Sequence, residues 1–157
     1  MRRWEDERWA GEVLDFFEYN TVDNGCKRGY ILGMAEIKDL IGKTVTRIGN
    51  SPEYVNFITE DGKTFSLCHE QECCENVTVE DICGELDDLV GSPIVSASEE
   101  TSKDVDPEGV KAPEGYHESF TWTFYRLATN KGTVVIRWYG SSNGYYSESV
   151  SFIEVGE

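Results

Sequence analysis

The sequence predicts an α+β fold in which antiparallel β-meanders pack with one or two α-helices. Three observations predict it. Tyr54–Thr59 and Lys63–Leu67 flank Glu60-Asp61-Gly62, a strong hairpin signal. From Phe120 onward apolar and polar residues alternate between turn tripeptides. Two further stretches carry apolar residues at helical spacing.

The elements follow in chain order. Residues 3–19 hold Trp9, Val13, Phe16 and Phe17 on one helical face with charges between them, so one amphipathic helix is expected, broken by Asp23-Asn24-Gly25. Residues 1–35 are taken as a helical extension and 36–157 as a single α+β domain. A short helical turn is expected from Glu36 to Leu40, with Ile37, Leu40 and Ile41 on its face. Thr44–Ile48, Tyr54–Thr59 and Lys63–Leu67 form a first meander. Thr78 with Asp81 resembles a capping box, and Val79, Ile82, Leu86 and Leu89 recur at helical spacing up to Gly91, so a second helix is expected, with Gly84 as its weak point. Residues 96–116 are polar and rich in Pro and Gly and are expected to be a long exposed loop. Phe120–Tyr125, Val134–Tyr139 and Tyr145–Ile153 then form a three-stranded meander with an aromatic face.

The charge narrows the function classes. Fourteen basic and 30 acidic side chains give a net charge of −16 over 157 residues. Direct nucleic-acid binding and docking on an anionic membrane both need clustered Lys and Arg, so neither is expected. A basic protein surface is the natural partner. The segment after Met1 is not apolar, and no run approaches about 18 apolar residues, so a soluble, cytosolic protein is expected.

Five cysteines, Cys26, Cys68, Cys73, Cys74 and Cys83, are an odd count that favours free thiols or a metal over a disulfide framework. His69 and Cys73 are four apart, a spacing that would place both on one side of a helical turn to chelate zinc, with Cys74, Cys83 or Cys26 completing a tetrahedron. Two readings compete with this: buried cysteines acting as small hydrophobes, and a vicinal disulfide between Cys73 and Cys74. Cys–His catalysis is disfavoured. Between Thr64 and Ser102 there are ten acids and no Lys or Arg, and acids oppose a thiolate. Those acids are themselves a candidate partner surface, above all Glu80, Asp81, Glu85, Asp87 and Asp88 on the expected second helix, as a carboxylate array competing for Lys and Arg. Trp122, Phe124, Tyr125, Trp138, Tyr139, Tyr145 and Tyr146, beside Arg126 and Arg137, are a packed core with one half-exposed face, which suits protein contact better than base stacking. His117 is expected to be a surface residue.

Five stretches together carry a family resemblance: His69-Glu-Gln-Glu-Cys73-Cys74-Glu75, Glu80-Asp81-Ile82-Cys83-Gly84-Glu85-Leu86, Gly91-Ser-Pro93-Ile94, Ser119-Phe-Thr-Trp122-Thr-Phe-Tyr125, and Arg137-Trp-Tyr-Gly-Ser-Ser-Asn143-Gly-Tyr-Tyr-Ser-Glu148. Over about residues 36–155 the chain resembles a family of small phage-encoded proteins described as a domain of unknown function. Glu72 stands where that family usually has Asp, and Cys26 and Cys68 lie outside its pattern. The resemblance therefore favours His69, Cys73 and Cys74 as ligands of a structural zinc. It also implies a phage inhibitor of host defence: an anti-CRISPR protein that binds a basic surface of a Cas9-type nuclease and blocks target DNA loading. The alternatives are a metal-dependent enzyme acting on a nucleotide or host protein, with Glu70 or Glu72 as general base, and a virion or scaffold component.

Overall fold

A computed structural model describes residues 30–115 and 118–156. The expected helix over residues 3–19, Cys26 and His117 lie outside the described residues. The described chain is built of nine strands in two antiparallel sheets: β1 (Tyr30–Met34), β2 (Val45–Asn50), β3 (Tyr54–Thr59), β4 (Thr64–Cys68), β5 (Asn76–Cys83), β6 (Ser96–Lys103), β7 (Ser119–Thr129), β8 (Gly132–Ser142) and β9 (Ser151–Gly156). One sheet has the order β1-β9-β4-β3-β2 and the other β5-β8-β7-β6. Their inner faces meet in one core, where Val55, Phe57, Phe65, Leu67 and Phe152 oppose Val77, Val79, Leu127, Val134, Ile136 and Trp138. No helix among the described residues is long and apolar enough to cross a membrane.

The α+β expectation is corrected to an all-β sandwich: the helical elements among the described residues are two four-residue 3-10 turns, Ile37–Leu40 and Leu86–Leu89. The first turn stands where a turn is expected, and Glu36 N–H donates to the Asp39 carboxylate across it at 2.9 Å. The expected second helix is instead β5 followed by the second turn. A bulge between Val79 and Asp81 explains the misleading period. An extra residue in a strand turns the two-residue alternation into a spacing of three. Val79 and Ile82 thus both face the core, as they would on a helix. The bulged Val79 N–H is not wasted; it donates to the Pro52 carbonyl of the β2–β3 turn at 2.8 Å, tying the two sheets together.

Gly84 then bends the chain with φ +99°, and a Cβ there would lie 2.6 Å from the Thr133 carbonyl oxygen. Gly84→Ala is expected to cost about 1–3 kcal/mol from backbone strain and overlap, measurable as a lower urea midpoint.

Two further expectations are corrected. Ser96–Lys103 is not loop but β6, the edge strand paired along its length with β7. It is polar because an edge strand in water needs few apolar residues, and Ala97 is its inward packing contact. The C-terminal meander is a two-stranded β7–β8 hairpin; the third strand starts at Ser151 and crosses to the other sheet, between β1 and β4. Phe152 accounts for the crossing. Its ring stacks on Phe65 at 5.4 Å and meets Phe57 edge-on at 6.4 Å, closing the core. The first meander, β2–β3–β4, forms as expected.

Candidate functional site

At one end of the sandwich two loops meet: residues 69–75 between β4 and β5, and residues 143–150 between β8 and β9. Glu75 organises the first. It is 5% exposed, and its carboxylate accepts the Glu72 N–H at 2.6 Å and the Cys73 N–H at 3.2 Å. His69 bridges the loops. Its Nδ1 lies 2.8 Å from the Ser149 carbonyl and its Nε2 3.1 Å from Glu75 Oε1. Both partners are acceptors, and which of them the ring donates to depends on its tautomer. The backbone N–H of Glu72 first, then His69 and the Cys73 N–H, hold the Glu75 carboxyl down from 4.5 to about 2, against the opposing effect of burial.

The folded pKa is depressed, so this stabilisation is complete above about pH 4.5 and is lost as pH falls through about 2. Glu75→Gln is therefore expected to flatten the acid limb of stability between those values. Urea unfolding from pH 5 to 2 checks it.

Glu148 organises the second loop. It is buried at the mouth between the sheets, and its carboxylate accepts hydroxyl hydrogen bonds from Ser142 at 2.5 Å, Thr121 at 2.8 Å and Ser119 at 3.2 Å. Gly140 lets it in: a Cβ there would stand 2.8 Å from the Glu148 carbonyl oxygen. Between the two loops lies an open cleft of about 370 Å³, walled by Cys74–Asn76 on one side and Glu118 with Ser141–Asn143 on the other. It is lined by polar residues and one cysteine, with none of the aliphatic or aromatic side chains that hold most small ligands.

The candidate zinc ligands come together here, but not as a ligand set. Cys73 and Cys74 are bonded to each other, with Cα atoms 3.8 Å apart. A sulfur ligates zinc as a thiolate, which a disulfide does not offer. Cys83 sits at the far end of β5 from this loop, with its thiol pKa raised by burial and by Asp81. Among the described residues no three His, Cys, Asp or Glu side chains converge to hold a metal. The residues in this arrangement therefore do not fit a zinc ion. The expectation of free thiols is corrected as well: Cys68, Cys73 and Cys74 are all disulfide-bonded.

The candidate partner acids divide. Glu80 and Asp81 stand side by side on the outer face of the four-stranded sheet because of the β5 bulge, and both reach Arg137 of β8. Arg137 in turn lies over the Trp122 ring, 5.7 Å from its centroid. Glu85 and Asp87 are exposed at the second 3-10 turn, while Asp88 is half-buried there with its carboxylate against Gly132. A helical carboxylate array is therefore replaced by acids at two places, the outer face of a sheet and a 3-10 turn. The aromatics divide by face: Tyr125 and Trp138 enter the core, while Trp122 and Tyr139 pack at a tilt on the outside, ring centroids 4.7 Å apart. Trp122 is nonetheless fully buried, because residues after β6 cross over it: Asp104 N–H donates to the Phe120 carbonyl at 2.8 Å, and the indole N–H of Trp122 donates to Asp106 at 3.0 Å. Sequence reasoning gave no role to Glu148, Glu75 or the Arg137 pair. The available signal was position, since all three fall inside the quoted motifs or face one across a strand pair.

A family model described as a domain of unknown function, DUF7448, matches residues 38–152, which takes in both loops of the cleft, Arg137 and Glu148. No curated protein and no solved structure is significantly similar to the chain. With nearly the whole sandwich inside that match, the chain belongs to the DUF7448 family.

Proposed function

We propose that this is a non-enzymatic binding protein that sets the acidic side of its four-stranded sheet against a basic protein surface. The observation that carries the reading is the placement of charge along β6 and the segment after it. Residues 96–115 present six exposed acids, Glu99, Glu100, Asp104, Asp106, Glu108 and Glu114, against Lys103 and Lys111. Glu85 and Asp87 lie beyond the other end of β5. A rigid sheet with a carboxylate rim suits a surface built to hold phosphates, since the same lysines and arginines serve both. The heteroduplex channel of a guide-RNA-directed nuclease is such a surface. The phage-family resemblance supports an anti-CRISPR role against a Cas9-type enzyme as the first case to test.

The test is target-DNA cleavage by a guide-loaded Cas9 nuclease with wild-type protein and with Asp87→Lys/Glu99→Lys/Glu100→Lys. Inhibition by the wild type is expected to weaken at least about tenfold in the variant and to fade with added salt. Equal inhibition by both proteins, or none by the wild type at low salt, overturns the reading.

A further inference from the structure

The outer face of the five-stranded sheet is as dry as its inner face, although no described element packs over it. Tyr54, Cys68, Ile153 and Val155 point outward there, alternating with the core residues, and are 2%, 1%, 2% and 5% exposed. Asn56 and Ser66, paired across β3 and β4 on the same face, are fully buried, and neither side chain has a hydrogen-bond partner among the described residues. Burial of this degree requires a cover, and the two unmatched polar side chains require that it bring polar groups as well as apolar ones.

Of five cysteines, Cys73 and Cys74 bond each other, Cys83 is free and Cys68 is disulfide-bonded. Within one chain only Cys26 remains for Cys68. Reach agrees. Tyr30 pairs with Gly156 at one end of β9, and Cys68 pairs with Ser151 at the other, two strands away from β1. That separation is about 20 Å by strand spacing and rise. Four extended residues and a disulfide span about the same distance. The sequence before Cys26 supplies the chemistry: Trp9, Val13, Phe16 and Phe17 at one-face spacing, with Arg and Glu between them.

We propose that this sheet face is the docking site of the chain's own residues 1–29, stapled by a Cys26–Cys68 disulfide. Closing the staple removes two protons and two electrons from the thiols. A disulfide oxidant such as oxidised glutathione takes them up and leaves as two thiols.

The test uses the full chain, equilibrated with oxidised glutathione and mapped as peptides without reduction. A Cys26–Cys68 peptide from monomeric protein is the expected product. Cys26 left unlinked, or a Cys68–Cys68 link between two copies, overturns the proposal. A second measurement separates packing from the staple. In Cys26→Ser, the Cys68 thiol is expected to stay protected from a thiol reagent. Adding Trp9→Asp and Phe16→Asp is expected to speed its reaction more than about tenfold, as local opening becomes easier. Circular dichroism of the β-sheet serves as the folding control. Equal rates in the two variants overturn the docking.

Discussion

Arg137→Met is expected to destabilise the protein by about 3–5 kcal/mol, because it strands two carboxylates that the fold holds against one guanidinium. The Arg137 side chain is 11% exposed, Asp81 8% and Glu80 34%. Asp81 is held at both oxygens: the one not facing Arg137 accepts the Ile82 N–H at 2.8 Å, so the side chain cannot swing out to water without giving up that hydrogen bond. The pH dependence identifies the mechanism. Burial raises the Asp81 pKa. A carboxyl with a raised folded pKa favours folding when protonated and opposes it as pH rises through the folded value. The deficit of Arg137→Met is therefore expected to shrink on acidification, and Asp81→Asn in the same chain is expected to recover part of it at neutral pH. Thermal melts of the wild type and the two variants at pH 4 and pH 7 decide it. A deficit independent of pH would mean that the loss is one of packing on Trp122 alone.

Glu148→Ala is the second large effect, at about 3 kcal/mol, since it deletes the acceptor of three hydroxyls and leaves the buried Ser119 and Ser142 and the half-buried Thr121 with unmatched donors. Glu148→Gln keeps an oxygen in place and is expected to cost about half as much or less. The same change has a local signature. With its anchor gone, residues 143–150 no longer hold the Ser149 carbonyl against His69, so amide exchange is expected to quicken in both loops before it quickens in β3 or β8.

How much of this was legible in the residues depends on what each pattern reports. The β2–β4 meander and the β7–β8 hairpin were legible because their turns are local and their alternation is unbroken. The α+β class was not, and one residue is responsible. The bulge at Glu80 makes Val79 and Ile82 core neighbours at a spacing of three, and Leu86 and Leu89 on the 3-10 turn complete a helical-looking series. β6 was hidden because exposure, not conformation, sets its composition. β9 was hidden because its partners lie more than eighty residues away, beyond any local signal. At the cleft, the residue types of His69, Cys73 and Cys74 drew attention to the right loop. There Cys73 and Cys74 take the vicinal-disulfide alternative, which residue types alone do not distinguish from a ligand pair, and His69 lies between a carbonyl and a carboxylate.

The crossing of β9 also orders events during synthesis. The last described strand is inserted between β1 and β4 rather than added at an edge. While the ribosome is still making residues 151–156, the first sheet exists only as the β2–β3–β4 meander, with β1 detached and Phe65 and Leu67 lacking the ring of Phe152. Completing it closes loops of more than eighty residues at once, a slow step by contact-order reasoning. Through that interval β4 presents an unpaired apolar edge. A nascent chain of this protein is thus most vulnerable to aggregation, and most in need of a holding chaperone, in the moments before residues 151–156 emerge.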